Sequence, residues 1–178
     1  MIQLCNSTRS LVTTPDPVLQ EIGRSLDVTK EKDYILELQR DMEIVMNLNK
    51  GIGLTAHQVG EPADFFVVSR RLLTASDESF YFINARIVGI GKMQRSLEGC
   101  LSIPGKIFLL KRYPRIEVTR DTLQGARITS VFEGRAAVCI QHEHDHTRGI
   151  ILEDIGEEVD IDKLMEGERK GHPTRKIR

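Results

Sequence analysis

The chain has 178 residues, 40% apolar and 29% charged, and its formal net charge of −1 excludes a protein whose bulk charge attracts nucleic acid or anionic membranes. No apolar run approaches the roughly 20 residues of a membrane-spanning helix, and the start, MIQLCNSTRS, lacks the basic and apolar regions of a secretory signal. The three cysteines, at positions 5, 100 and 139, are too few and too scattered for a disulfide framework, so we expect a cytoplasmic protein with reduced thiols.

The N-terminal half combines one helical pattern with two strand-like runs. Apolar residues at three- and four-residue spacing predict the helix, which Lys50 and Gly51 end. The runs FFVVS and FYFINARIVGI are rich in the β-branched and aromatic residues typical of strands. In chain order we expect a loop-rich lead-in at 1–27, a helix at 29–49, a glycine-punctuated loop at 51–60, and strands at 65–69 and 80–90.

The C-terminal half is predicted to hold short strands followed by a second helix. Gln124 and Gly125 form a predicted hairpin turn, and Gly149 is a natural stop for the helix. In chain order we expect a second loop at 96–105, strands at 107–110, 115–120 and 126–132, and a helix at 134–148. This order indicates an α+β fold with mostly antiparallel short strands packed around a buried helix.

The composition changes beyond Glu153. Residues 153–168 contain eight acids and one lysine, whereas 169–178, RKGHPTRKIR, contain five basic residues and no acid. Such segments do not bury enough apolar surface to join a core. We therefore expect a catalytic domain at 1–155 and a charged C-terminal extension at 156–178, helical or disordered.

The helix at 134–148 carries the first chemical motif, H-E-x-x-H. His142 and His146 lie one turn apart on the face that also carries Val138 and Cys139, with Glu143 beside the first histidine. A solvated, charged face is the ordinary alternative. Since this face is the apolar one, and burying two unpartnered imidazoles is costly, the motif favours a shared metal ion.

A catalytic metal site needs a third protein ligand and an open position. The metzincin pattern would require a histidine where Leu152 stands, which excludes it. A downstream glutamate, Glu166 or Glu168, would make the chain an H-E-x-x-H endopeptidase, but no motif supports either residue. The remaining option is Cys100 in the segment EGCLS.

Three segments together resemble the peptide deformylase family. They are GIGLTAHQ at 51–58, EGCLSIP at 98–104 and QHEHDHTRG at 141–149, in that order and at similar spacing, and PDPVL near the N-terminus is similar to the opening of that family. The resemblance covers about residues 13 to 152. It implies the deformylase fold and a hydrolase that removes the formyl group from the N-terminal, formyl-methionyl residue of peptides or nascent proteins and releases formate.

The resemblance also implies the metal ligands and the proton-transfer group. Cys100, His142 and His146 would bind one divalent ion. In this family the ion in the cell is characteristically Fe²⁺, and the site can also bind Zn²⁺, Ni²⁺ or Co²⁺. A thiolate and two imidazoles suit all of these ions. Glu143, which is not a ligand, would take a proton from the attacking water and deliver it to the leaving amine.

The remaining implied roles concern the substrate. Gln58, through its amide, and Leu101, through its backbone N–H, would stabilise the developing oxyanion. Ile52 and Gly53 would accept the substrate peptide as an added strand, with Gly99 close by. Glu98 is predicted to have a structural role in its loop; the alternative is that it orients a metal ligand. His57 is expected to be exposed, and His144 is expected to be no ligand.

Four residues depart from the family pattern, and they affect what the site accepts rather than the metal or the base. Thr55 replaces an alanine, Thr147 replaces a leucine, and Arg135 and Ser96 stand where an apolar pocket for methionine is expected. Another N-formyl peptide or a small N-formylated metabolite is therefore an alternative substrate. A homologue that has lost catalysis and only binds is a further alternative.

Partners are inferred from the same resemblance. An N-formylated peptide is the expected substrate, and the basic tail 169–178 suggests ribosome contact through RNA phosphates, with a disordered solubilising end as the alternative. We expect a monomer that makes no membrane contact.

Overall fold

The computed structural model describes residues 8–73 and 80–160. Within them the chain forms two antiparallel sheets. The strands, in chain order, are β1 Gly53–Thr55, β2 Phe65–Val68, β3 Tyr81–Ile90, β4 Gln94–Cys100, β5 Ile103–Arg112, β6 Arg115–Asp121, β7 Arg127–Glu133 and β8 Glu157–Glu158. Five of them form one sheet in the order β1-β2-β3-β6-β7, and the other three form a second sheet in the order β4-β5-β8.

Three α-helices accompany the sheets in the described residues: α1 Lys32–Leu48, α2 Gly134–His146 and α3 Leu152–Ile155. In α1 the apolar positions predicted from the sequence are buried and pack with β1 and β2. None of the helices in the described part of the chain is long and apolar enough to cross a membrane.

Helix α2 packs on the five-stranded sheet and faces the three-stranded one. Its small apolar residues Ala136 and Ala137 join a core cluster with Phe66, Phe82 and Phe132 of the sheet. Small side chains let the helix backbone approach the aromatic layer, in which Phe66 and Phe82 stack with ring centroids 4.7 Å apart. The helix is therefore fixed at a short distance from the sheet.

The side chain of Gln141 fixes the position of α2 along its own axis. Its amide nitrogen donates to the backbone oxygen of Tyr113 at 2.8 Å, and its oxygen accepts from the Tyr113 N–H at 3.0 Å. This reciprocal pair ties the helix to the turn between β5 and β6. The turn of the helix that follows, which carries the histidines, is held in place as a result.

The predicted α+β class with mostly antiparallel strands is confirmed, but both predicted loops are partly regular structure. Residues 51–60 contain β1 and a 3₁₀ turn, and 96–105 belong largely to the β4–β5 hairpin. Glycine suggested loops in both segments. In the structure, Gly53 is the first residue of β1. Glycine is required there because the backbone passes close to α2, where a Cβ atom would overlap the Glu143 carboxylate and Cys139 Sγ.

Helix α2 ends at His146, two residues before the predicted end, and Gly149 follows with a φ of 71°. The chain then returns to the three-stranded sheet, where Glu157 and Glu158 pair with β5 beyond the predicted domain boundary at 155. That boundary stays a prediction. Cys5, Glu166, Glu168 and the basic tail lie outside the described residues.

Candidate metal centre

Three potential ligand atoms converge where α2 meets the end of β4. The rings of His142 and His146 project from one face of the helix with centroids 5.1 Å apart. Cys100 is the last residue of β4, and its Sγ lies 3.2 Å from His146 Nε2. The ligand atoms of the three residues lie within 4.8 Å of one another, and all three residues are buried.

The geometry of the two rings fits a shared cation. His142 Nδ1 lies 3.0 Å from Glu98 Oε2, which leaves Nε2 for coordination. Burial lowers the pKa of His146 well below its ordinary value, so its ring is neutral. At His142 burial is outweighed by the hydrogen bonds with Cys100 and Glu98, which raise its pKa to about 10, so a metal ion would have to displace a proton from this ring. A cluster of one sulfur and two nitrogens matches the ligand types of Zn²⁺, Fe²⁺ and Co²⁺ sites and leaves a position open.

Glu98 links the cluster to a buried ion-pair network. Arg112 donates from Nε and Nη2 to both carboxylate oxygens of Glu98 at 3.0 Å, and from Nη1 to Asp145. Burial opposes ionisation of Glu98, but the hydrogen bonds from His142 and Arg112 outweigh it and lower its pKa to about 2. Of the two roles considered for Glu98, its contact with His142 favours orientation of a ligand. No motif in the sequence points to Arg112.

Glu143 is fully enclosed next to the cluster. Thr55 Oγ1 lies 2.7 Å from Glu143 Oε2 and 3.0 Å from its backbone oxygen, and the single hydroxyl proton serves one acceptor at a time. The other carboxylate oxygen packs against Gly53, where any side chain would collide with it. Burial raises the pKa of Glu143 against the opposing influence of His142 and Thr55, as expected for a group that exchanges protons.

Gln58 reaches the cluster from the opposite side. Its Oε1 accepts from the Thr55 N–H at 2.9 Å, which fixes the orientation of the amide. Its Nε2 therefore points to Cys100 Sγ at 3.6 Å and to Ser102 Oγ at 3.1 Å. Ser102, a residue of EGCLSIP to which no role was predicted, donates in turn to the Val12 backbone oxygen at 2.7 Å.

A cavity of about 1070 Å³ opens from the cluster to the surface. Ile52 and Gly53 form one wall, and Gly99 and Leu101 of the β4–β5 hairpin form another. Strand β1 pairs with β2 on one side only, so its second edge is unpaired within the described sheet. All nine residues predicted to act in the site therefore lie at the cluster or around this cavity: Ile52, Gly53, Gln58, Gly99, Cys100, Leu101, His142, Glu143 and His146.

Two other histidines were assigned from weaker signals. His57 is completely buried and its Nε2 contacts the Glu21 backbone oxygen at 3.1 Å, so the expected exposure was wrong. His144 is half-buried and does not join the ligand cluster, as predicted. Cys139, on the face of α2 that carries the ligands, is a buried thiol that donates to the Ile52 backbone oxygen at 3.4 Å.

Comparison with known proteins gives one consistent family. A sequence model described as polypeptide deformylase matches residues 8–159. A peptide deformylase from Desulfotalea psychrophila is 37% identical over 145 residues, covering 81% of this chain and 85% of that protein. One from Wolbachia sp. subsp. Drosophila simulans is 39% identical over 150 residues, covering 79% and 83%. The solved structure of a peptide deformylase from Synechococcus elongatus with actinonin aligns with a TM-score of 0.76 at 28% identity, covering 99% of this chain and 93% of that one.

Proposed function

Because the chain belongs to the polypeptide deformylase family, we propose that it removes N-formyl groups with Cys100, His142 and His146 as ligands of one divalent cation and Glu143 as the proton-transfer group. The reaction hydrolyses the amide bond between the formyl group and the N-terminal nitrogen of a peptide, and releases formate. The observation that carries this assignment is the meeting of Cys100 Sγ with the two imidazoles of α2.

A divalent cation held by these ligands supplies Lewis acidity, which lowers the pKa of water and polarises a carbonyl oxygen. The protein's own contribution is to fix the ligands before substrate arrives. Glu98 holds the His142 ring through Nδ1, and Arg112 holds Glu98 through two hydrogen bonds. Such outer contacts keep the ring orientation and raise the basicity of the ligand.

Glu143 transfers the proton. Its carboxylate is adjacent to the ligands, excluded from solvent, and bound by Thr55 at one oxygen. It takes a proton from the attacking water and gives it to the amine that leaves, so that the peptide departs with a free amino terminus. The Thr55 hydroxyl limits rotation of the carboxylate and keeps one oxygen directed at the reacting atoms.

Two groups stabilise the negative charge that develops on the formyl oxygen. The Gln58 amide nitrogen is oriented toward the cluster by the Thr55 N–H, and the Leu101 backbone N–H follows the ligand Cys100 directly. Donors fixed in advance are worth more than mobile ones, because they need no reorganisation as the charge forms. The peptide itself adds along the unpaired edge of β1 at Ile52 and Gly53, with Gly99 on the opposite wall.

Several finer assignments complete the proposal. We assign Fe²⁺ as the ion in the cell, with Zn²⁺, Ni²⁺ or Co²⁺ able to replace it, since a site of one thiolate and two imidazoles accepts all four. The protein acts in the cytoplasm as a monomer; for the basic tail 169–178, ribosome contact and a disordered solubilising end are the two alternatives.

The test uses Cys100→Ser with Cys139→Ser as the matched control, because both thiols are buried but only Cys100 meets the histidines. We expect Cys100→Ser to lose bound metal, measured by elemental analysis, and to lose formate release from a panel of formyl tripeptides. Cys139→Ser should keep its metal. Unchanged metal content and turnover in Cys100→Ser would contradict the proposal.

A further inference from the structure

The acids that line the cavity are all engaged. Glu98 is paired with Arg112 and bound to His142, and Glu143 is bound to Thr55. Both carboxylates lie deep in the cavity and are buried. Neither is available to neutralise a positive charge nearer the opening.

Arg135 places a positive charge near the opening of the cavity. It lies in the first turn of α2, lines the cavity, and is exposed. It makes no hydrogen bond or ion pair with any residue that the structure describes.

The rest of the opening carries the same sign. Lys50 and Arg95 also line the cavity, are exposed, and have no ion pair among the described residues. By contrast, Lys106 is paired with Glu153 at 2.9 Å and Glu158 at 3.2 Å. Ser96 also lines the cavity, but its hydroxyl is hydrogen-bonded to Glu98. The apolar side chain of methionine forms no ion pair with these charged groups.

The spacing along α2 relates Arg135 to the reacting centre. Arg135 precedes His142 by seven residues, about two turns or about 10 Å along the helix axis. A formyl group held at the cluster, followed by one residue with an extended side chain, spans a distance of this order. The arginine therefore meets the end of the first side chain rather than the peptide bond.

Resting on the proposed deformylase function, we propose that Arg135 selects N-formyl substrates whose first residue bears a carboxylate side chain, glutamate or aspartate. The guanidinium binds both carboxylate oxygens, and Lys50 and Arg95 attract the acid to the opening. Glutamate has about the length of methionine, so the change is one of charge rather than of size.

The experiment compares formate release from four peptides, formyl-Glu-Ala-Ser, formyl-Gln-Ala-Ser, formyl-Met-Ala-Ser and formyl-Met-Glu-Ser. All carry an amidated C-terminus, so that no other carboxylate is present. With the nickel-loaded protein, we expect kcat/KM for the glutamate peptide to exceed that for its neutral glutamine isostere by about tenfold, the worth of one charged hydrogen bond. The preference should fall as salt is added.

Two variants assign the preference to Arg135. In Arg135→Leu the glutamate-over-glutamine ratio should fall to about one and turnover of formyl-Met-Ala-Ser should rise, whereas Arg135→Lys should keep part of the ratio. Arg40→Leu, an exposed arginine of α1 outside the cavity, should leave all ratios unchanged. As a readout independent of turnover, calorimetry should show that the product Glu-Ala-Ser amide binds to the unmodified protein about tenfold more tightly than Gln-Ala-Ser amide. In Arg135→Leu the two products should bind with equal affinity.

The outcomes separate the two proposals. Absence of formate from every peptide would overturn the deformylase function itself. Turnover that favours formyl-Met-Ala-Ser, or a glutamate preference that survives in Arg135→Leu, would overturn the role of Arg135 and leave the function standing. An advantage confined to formyl-Met-Glu-Ser would place the acid at the second residue and would also contradict the proposal.

Discussion

The two ends of the cavity differ in how their side chains are held. At the inner end His142, Glu143 and Gln58 each have at least one named partner, and Glu98 has two. At the outer end Arg135 has none among the described residues, although it lies on the same helix face two turns away. A single helix thus carries a rigid end and an adaptable end.

The difference shows how the chemistry and the selectivity of the site are separated. Substitution at the inner end breaks contacts that several residues share, so its effects are large and not additive. Substitution at the outer end exchanges one solvated side chain for another and costs little stability. A change of selectivity at Arg135 should therefore cost little stability and leave the inner end intact.

The largest effect should come from removing Glu143, the proposed proton-transfer group. In Glu143→Gln the amide can still accept from the Thr55 hydroxyl, so the structure should persist, but it cannot carry the proton. We expect kcat to fall by about 10²- to 10⁴-fold with bound metal unchanged. Steady-state formate release together with elemental analysis checks this. Retention of more than a tenth of the rate would show that the inner end does not depend on Glu143.

The next effect concerns the support of the metal ligands. In Glu98→Gln, Arg112 loses the charged acceptor of its paired hydrogen bonds, and His142 loses a carboxylate partner. We expect metal affinity to fall by about 10- to 100-fold, measured by competition with a chelator. Lys106→Met, which removes an exposed ion pair to Glu153, is the control and should leave the affinity unchanged.

A smaller effect should follow from the hydroxyl that holds Glu143. Thr55→Val keeps the shape but removes the 2.7 Å contact to the carboxylate, and Thr55→Ser keeps the hydroxyl. We expect kcat to fall about tenfold in the valine variant, with KM unchanged, and to remain within about threefold in the serine variant, since one hydrogen bond to a charged group is at stake. Equal rates for valine and serine would show that the hydroxyl has only a packing role.

The smallest effect should be on stability at the outer end. Arg135→Leu removes no contact within the described residues, so the free energy of unfolding should change by less than about 0.5 kcal/mol. Urea denaturation measures this change. A loss of more than about 1 kcal/mol would mean that Arg135 is held as firmly as the inner residues and that the two ends do not differ.

The sequence predicts the parts of the site that obey a local rule. Helical spacing predicts that His142 and His146 share a face, and the order of three short motifs predicts that Cys100 joins them. The Arg112–Glu98 pair follows no such rule, because the two residues are not opposite each other in the β4–β5 hairpin and meet only through the length of the arginine side chain. The burial of His57 was missed for a related reason, since its partner Glu21 lies in an irregular segment 36 residues earlier.

The position of the ligands on different layers has a consequence for folding. Cys100 ends a strand of the three-stranded sheet, whereas the histidines belong to the helix that covers the five-stranded sheet, and 46 residues separate Cys100 from His146. An ion bound to all three cross-links the two halves of the molecule, and it binds the native chain far better than the unfolded one. The melting temperature should therefore rise with the concentration of free metal, so that metal supply sets the lifetime of the protein as well as its activity.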